Sequence, residues 1–305
     1  MHNRRKGHTA NKVIFWVSLV GALICVAVTV FYYWSRYCSV RDYENLRGAV
    51  ADTEASAEVD HSTLSDADRE ALLADPTLED VENTPFTGLI EGPAPKIPEE
   101  VLTDAQESPI DFDKLSAINP DLYAWIRIPD TQIDYPVAQR MGEDNQEYYL
   151  HHDLYGTPQF AGCIFSQEPN RKDFTDPVTV LYGHNMKNGS MFQNLYKFTE
   201  EDFFYRDHNY VYMYTPEGTL IYEVYAAYYA DDRNILEELD FSKKEDLEKF
   251  VENTRQPRSM GALNKEDISV TTDDKILTLS TCVYGQTSAR LLVQAVLLYK
   301  ESDNT

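Results

Sequence analysis

Two side chains with the chemistry to open an amide stand close together near the end of the chain. Cys282 closes the stretch Thr278-Leu279-Ser280-Thr281-Cys282, and Arg290 opens an apolar run eight residues later. A cysteine attacks a carbonyl carbon as its thiolate. An arginine, charged at every accessible pH, suits the negative oxygen that such an attack creates. Alternation along residues 275–282 directs Leu277 and Leu279 one way and Thr278, Ser280 and Cys282 the other, so the thiol shares a face with hydroxyls. Residues 291–299 read as a strand buried on both faces, which sets Arg290 at the lip of a core, where an unused charge is costly. Taken singly, each residue also has an ordinary structural use: the cysteine as a small apolar filler, the arginine as a solvated strand cap.

Thiol chemistry needs a proton carrier as well. His2, His8 and His61 fall in the N-terminal third, while His151, His152 and His208 fall in polar turns. His184 differs. It follows the apolar stretch 178–182 and opens the loop Asn185-Met186-Lys187-Asn188-Gly189-Ser190, a place from which a side chain faces a cleft. Of the other cysteines, Cys25 lies in an apolar run, Cys38 just after it, and Cys163 inside a strand-like segment as a core residue. The four are not spaced as a disulfide framework. No CxxC or Cys/His cluster has metal-ligand spacing and no Gly-rich phosphate loop is visible, so no metal and no organic cofactor is expected.

The chain that must position these groups has 305 residues and a formal net charge of −24. That charge argues against nucleic acid as a partner, because phosphate contacts need clustered Lys and Arg. Residues 1–12 are basic. Residues 13–34 are uncharged for 22 positions, roughly 33 Å of helix, enough to span a bilayer's hydrocarbon core, and they end in the aromatic cluster Phe31-Tyr32-Tyr33-Trp34. The expectation is a transmembrane helix in contact with membrane lipid, with the basic N-terminus cytoplasmic and everything after Arg36 outside. Residues 35–108 read as an acidic extracellular stalk: between Arg41 and Asp113 there are twenty Asp or Glu against four basic residues. A short helix is expected at 63–74. An acidic protein-binding tail is the alternative for this region.

From residue 109 to 305 the composition becomes that of a globular domain. A helix is expected at 110–118, and strands at 122–128, 132–137, 162–166, 178–182, 210–214, 220–229, 276–282 and 291–299. Many short strands with few helices predict a mostly β fold, a closed β-barrel of about eight strands with a few peripheral helices. Within the long connection 231–274, Ser242 and Glu245 have capping-box spacing ahead of the apolar positions Leu247, Phe250 and Val251.

The segments Leu181-Tyr182-Gly183-His184-Asn185-Met186 and Met191-Phe192-Gln193-Asn194-Leu195, followed by Thr278-Leu279-Ser280-Thr281-Cys282 and Arg290, resemble the sortase family, membrane-anchored cysteine transpeptidases of Gram-positive bacteria. The run from Asn119 to Ile128, Ile133-Asp134-Tyr135-Pro136, Tyr149-Leu150-His151-His152-Asp153 and Gly162-Cys163-Ile164-Phe165 are similar to class B in particular. The resemblance implies that a barrel gathers His184, Cys282 and Arg290 in one groove, with Ser280, Thr281 and Tyr284 as candidate substrate contacts. It implies as substrate a secreted protein with a C-terminal sorting signal of the NPxT or PxT kind, cut after Thr. The acyl group would pass through a Cys282 thioester to an amine of a peptidoglycan cross-bridge or a pilin. Two other classes fit anchor, stalk and thiol: a secreted cysteine protease that hands the thioester to water, and a non-catalytic surface adhesin.

Overall fold

The computed structural model describes residues 5–50, 110–142, 146–207 and 209–300, in two units divided after Gly48. The first is built on one helix, α1 (Arg5–Val50). Phe15, Trp16, Val17, Val20, Leu23, Ile24, Val26 and Val30 all lie exposed on it. The side chains of residues 13, 14, 28 and 31–34, which belong to the expected span, lie outside the described ones. Among the described residues, no helix is long and apolar enough to cross a membrane. Helical structure continues to Val50, past the expected end of the span at residue 34. The remainder of the acidic stretch, with the helix expected at 63–74, lies outside the described residues, as does His208.

Among the described residues nine strands form one sheet: β1 (Leu122–Arg127), β2 (Asp134–Ala138), β3 (Ile164–Phe165), β4 (Val178–Tyr182), β5 (Tyr210–Thr215), β6 (Gly218–Asp231), β7 (Leu263–Asn264), β8 (Ile276–Val283) and β9 (Gln286–Lys300). Their order is β5-β1-β2-β3-β4-β8-β9-β6-β7, and β5 also pairs with β6. That extra pairing closes eight strands into a ring and leaves β7 appended to β6, so the expected barrel is the observed one. Around it lie α2 (Phe112–Ile118), α3 (Glu201–Phe204), α4 (Ile235–Glu238) and α5 (Lys244–Arg255). Two stretches of 3-10 helix, Tyr148–Leu150 and Phe192–Thr199, complete the periphery.

Two local expectations are corrected. Ser242 does not cap α5: the N-cap is Lys243 without a side-chain bond, and the Ser242 hydroxyl donates to Asp240 Oδ1 at 2.6 Å instead. The short Asp240 loop offers that hydroxyl a nearer acceptor, the competition that makes serine a turn residue as often as a cap. The final strand begins at Gln286, not residue 291, so Arg290 lies within it. A turn at Tyr284-Gly285, with Gly285 at φ +75°, folds β9 straight back onto β8.

The β4–β8 ladder is parallel and the β8–β9 ladder antiparallel, and their registers share one set of rows. Leu181, Leu279 and Val293 form one row, all fully buried, and face the barrel interior with Leu277 and Ala295. The alternate rows, Val178-Ile276-Val296 and Val180-Thr278-Gln294, face outward. There Leu247, Phe250 and Val251 of α5 cover them in a second apolar cluster. The insertion between β6 and β8 therefore roofs the outer face at one end and leaves its other end uncovered by α5.

Candidate active site

The outer face continues beyond the roof through the row Tyr182-Ser280-Leu292 to Cys282, whose partner across β9 is Arg290. On the other side, the Gly183 N–H donates to the Ser280 carbonyl at 3.1 Å. The Thr281 hydroxyl donates to the Gly183 carbonyl at 2.8 Å. These bonds hold the chain just past β4 against β8, and His184 follows Gly183 there. Cys282 and Arg290 face each other as a pair across β8 and β9, and His184 leaves the end of β4, the strand on the other side of β8.

Cys282 and His184 are held from outside the ladder as well. The Asn185 amide donates to the Cys282 carbonyl at 3.0 Å, and the Tyr196 hydroxyl donates to the same oxygen at 3.4 Å. The register shifts between Cys282 and Val283, and such a bulge re-aims the side chains beside it. Arg290 Nη1 donates to the Ala289 carbonyl at 3.0 Å. His184 Nε2 lies 2.9 Å from the Leu150 carbonyl. A carbonyl oxygen only accepts, so Nε2 carries the proton and Nδ1 is left to exchange one. Burial pulls the His184 imidazole below its ordinary range; the bond to Leu150 opposes this, and His151 nearby adds to it.

Residues 126–298 match the family model for the sortase domain, more than half of the chain. The chain belongs to the sortase family. Its relatives place it in class B. It is 34% identical to sortase B of Listeria monocytogenes over 190 residues, which cover 61% of this chain and 73% of that one. The structure of Clostridium perfringens sortase B, at 34% identity and a TM-score of 0.54, matches 61% of this chain and 99% of its own. Sortase B from B. anthracis, at 37% identity and a TM-score of 0.54, matches 62% of this chain and 84% of its own. This class B sortase is a cysteine transpeptidase.

Of the expected substrate contacts in the sortase, Ser280 stands on the outer face in the row next to Cys282. Tyr284 sits at the hairpin tip, 67% exposed, with Lys187 Nζ 4.8 Å from its ring centre. Thr281 is not brought to that face. One residue from Cys282 in a strand, it points into the barrel and spends its hydroxyl on Gly183, which corrects its assignment as a substrate contact. Cys163 is buried, as expected of a core residue. Asn185 and Tyr196 were not legible as partners of Cys282, because each reaches it across dozens of residues of chain. His151, expected as an ordinary turn residue, comes within 6.2 Å of the His184 ring centre. Among the described residues, no group of three or more His, Cys, Asp or Glu could hold a metal ion.

Gly183 sets how closely β4 can end against its neighbours. A Cβ there would lie 2.5 Å from Ile164 Cδ1 and 2.8 Å from the Phe192 ring. Gly183→Ala should therefore displace the turn that carries His184 and lower kcat/KM by roughly 10- to 100-fold, with the far-UV spectrum retained. Activity at the wild-type level would show that the strand end tolerates the shift. The depressed His184 has a consequence for stability. Its folded state binds a proton less readily than the unfolded chain, so its contribution is complete above the ordinary histidine pKa of about 6.5 and is lost as pH falls below it. Replacing it in His184→Gln should flatten the fall in unfolding midpoint between about pH 7 and pH 5. Parallel curves for the two proteins would refute the shift.

Proposed function

We propose that Cys282 is the nucleophile, His184 the proton carrier and Arg290 the oxyanion donor of this transpeptidase. The observation that carries the reading is that Arg290 pairs with Cys282 across β9 while Asn185, the residue after His184, donates to the Cys282 carbonyl. The Cys282 thiol gives its proton to His184 Nδ1, and the thiolate adds to the carbonyl carbon of the residue to be cut. The Arg290 guanidinium stabilises the resulting oxyanion. The carbon–nitrogen bond then breaks, the departing amine takes the proton from His184, and a thioester remains on Cys282. An incoming amine adds to the thioester and loses its proton to His184. Collapse of this second tetrahedral intermediate forms the new amide and frees the thiolate, which takes the proton back.

The substrate is a secreted protein whose C-terminal sorting signal is of the NPxT or PxT kind and is cut after Thr, and the acceptor is an amine of a peptidoglycan cross-bridge or a pilin. Support for this comes from class membership and from Tyr284, exposed at the hairpin tip two residues after Cys282. The helix over residues 13–34 anchors the enzyme in the cell membrane, with the N-terminus cytoplasmic and the catalytic domain outside. The uncharged sequence and the outward apolar side chains of α1 between Phe15 and Val30 support the anchor.

In the full chain, Cys282→Ala should abolish cleavage of NPxT peptides. Arg290→Lys should lower kcat/KM by about 100- to 1,000-fold, since an ammonium lacks the planar fork. Addition of a glycine-peptide amine should yield ligated product. Hydrolysis alone, at every acceptor concentration, would favour the protease class. The anchor predicts that the full chain stays with the membrane pellet through alkaline extraction; release into the supernatant would refute it.

A further inference from the structure

Phe160 is an apolar ring left 61% exposed, yet the loop that bears it is tightly built. The Gly162 N–H donates to the Gln159 carbonyl at 3.2 Å, closing a turn over Phe160, and the Gln159 N–H donates to the His151 carbonyl at 2.8 Å. Asp153 Oδ1 accepts from the backbone N–H groups of Tyr155 and Thr157 at 3.0 and 2.8 Å. Gly162 has φ +58°, and a Cβ there would lie 2.3 Å from the Tyr149 carbonyl oxygen, so the turn accepts only glycine. What this frame presents is one ring face. Phe160 stacks on His184 with centroids 5.2 Å apart and planes 18° from parallel. The same loop supplies the Leu150 carbonyl that holds Nε2.

We propose that Phe160 is a positioning residue for His184: its ring keeps the imidazole on Leu150 and favours the imidazolium through which acyl transfer passes. An aromatic face carries partial negative charge and attracts a cation lying over it. Among the described residues, the titratable group acting on the His184 ring is His151 of the Phe160 loop, with Cys282 and Arg290 paired on β8 and β9 beyond the end of β4. Burial and His151 both disfavour the charged ring, while the Leu150 bond favours it. Phe160 adds to the favourable side without closing the site to solvent. This rests on His184 being the proton carrier.

The test uses the full chain with 13C-labelled histidine, the His184 signal being identified by its loss in His184→Ala. Phe160→Leu, which keeps apolar bulk but not the π face, should lower the His184 titration midpoint by about half a pH unit, a roughly threefold loss of imidazolium. The His184 limb of the pH profile of kcat/KM for an NPxT peptide should move with it, kcat falling and KM holding. Phe160→Tyr should restore both. An unmoved midpoint in Phe160→Leu, or a Phe160→Tyr that falls as far as Leu, overturns the proposal. Retained cleavage in His184→Ala would instead remove the proton-carrier reading, and the NMR midpoint reports the ring contact independently of it.

Discussion

Everything at the site depends on a shared register across β4, β8 and β9. The middle strand is parallel to one neighbour and antiparallel to the other, so no single turn could align them. What fixes the alignment is burial. Leu181, Leu279, Val293 and Leu277 are fully buried on the inner face, and each such side chain is worth about 1.5 to 3 kcal/mol relative to exposure. A slip by one residue would turn that whole set outward. Burial in the same packing lowers the tendency of His184 to take a proton. Core packing can therefore hold His184 in a setting that its own charge equilibrium disfavours.

The two faces of these strands divide the labour. Inward residues make the barrel core, and outward residues begin as a second core beneath α5 and end at Cys282. Cys282 lies where one use of the face gives way to the other. Polar side chains on the intervening stretch are matched rather than left bare: Thr278 donates to Gln294 Oε1, and Gln294 donates in turn to Tyr228. Such pairing is what permits a buried strand to carry hydroxyls up to a reactive end.

Much of this was legible in the sequence because it follows from alternation. The period-two pattern around Leu277 and Leu279 placed the thiol correctly, and the apolar run before His184 marked a strand end. Arg290 reads as the start of an apolar strand yet lies inside β9, because the polar residues 286–288 hide a hairpin that pairs through its backbone. Thr281 was grouped with Cys282 by adjacency in sequence, although alternation itself sends it to the other face. The contacts of Asn185, Tyr196, Leu150 and Phe160 depend on how loops return to the barrel. No local periodicity encodes that.

Closure of the ring by β5 against β6 also bears on the company the domain keeps. Among the described strands only the two-residue β7 has a single neighbour, and β3 is the thinnest link of the ring, joined to β2 by two residue pairs and to β4 by one. Extended polypeptides pair readily with any open strand edge. A catalyst closed into a ring along most of its strands meets them chiefly through side chains and shape. Its selectivity then resides in the side chains around Cys282 rather than in indiscriminate backbone adhesion.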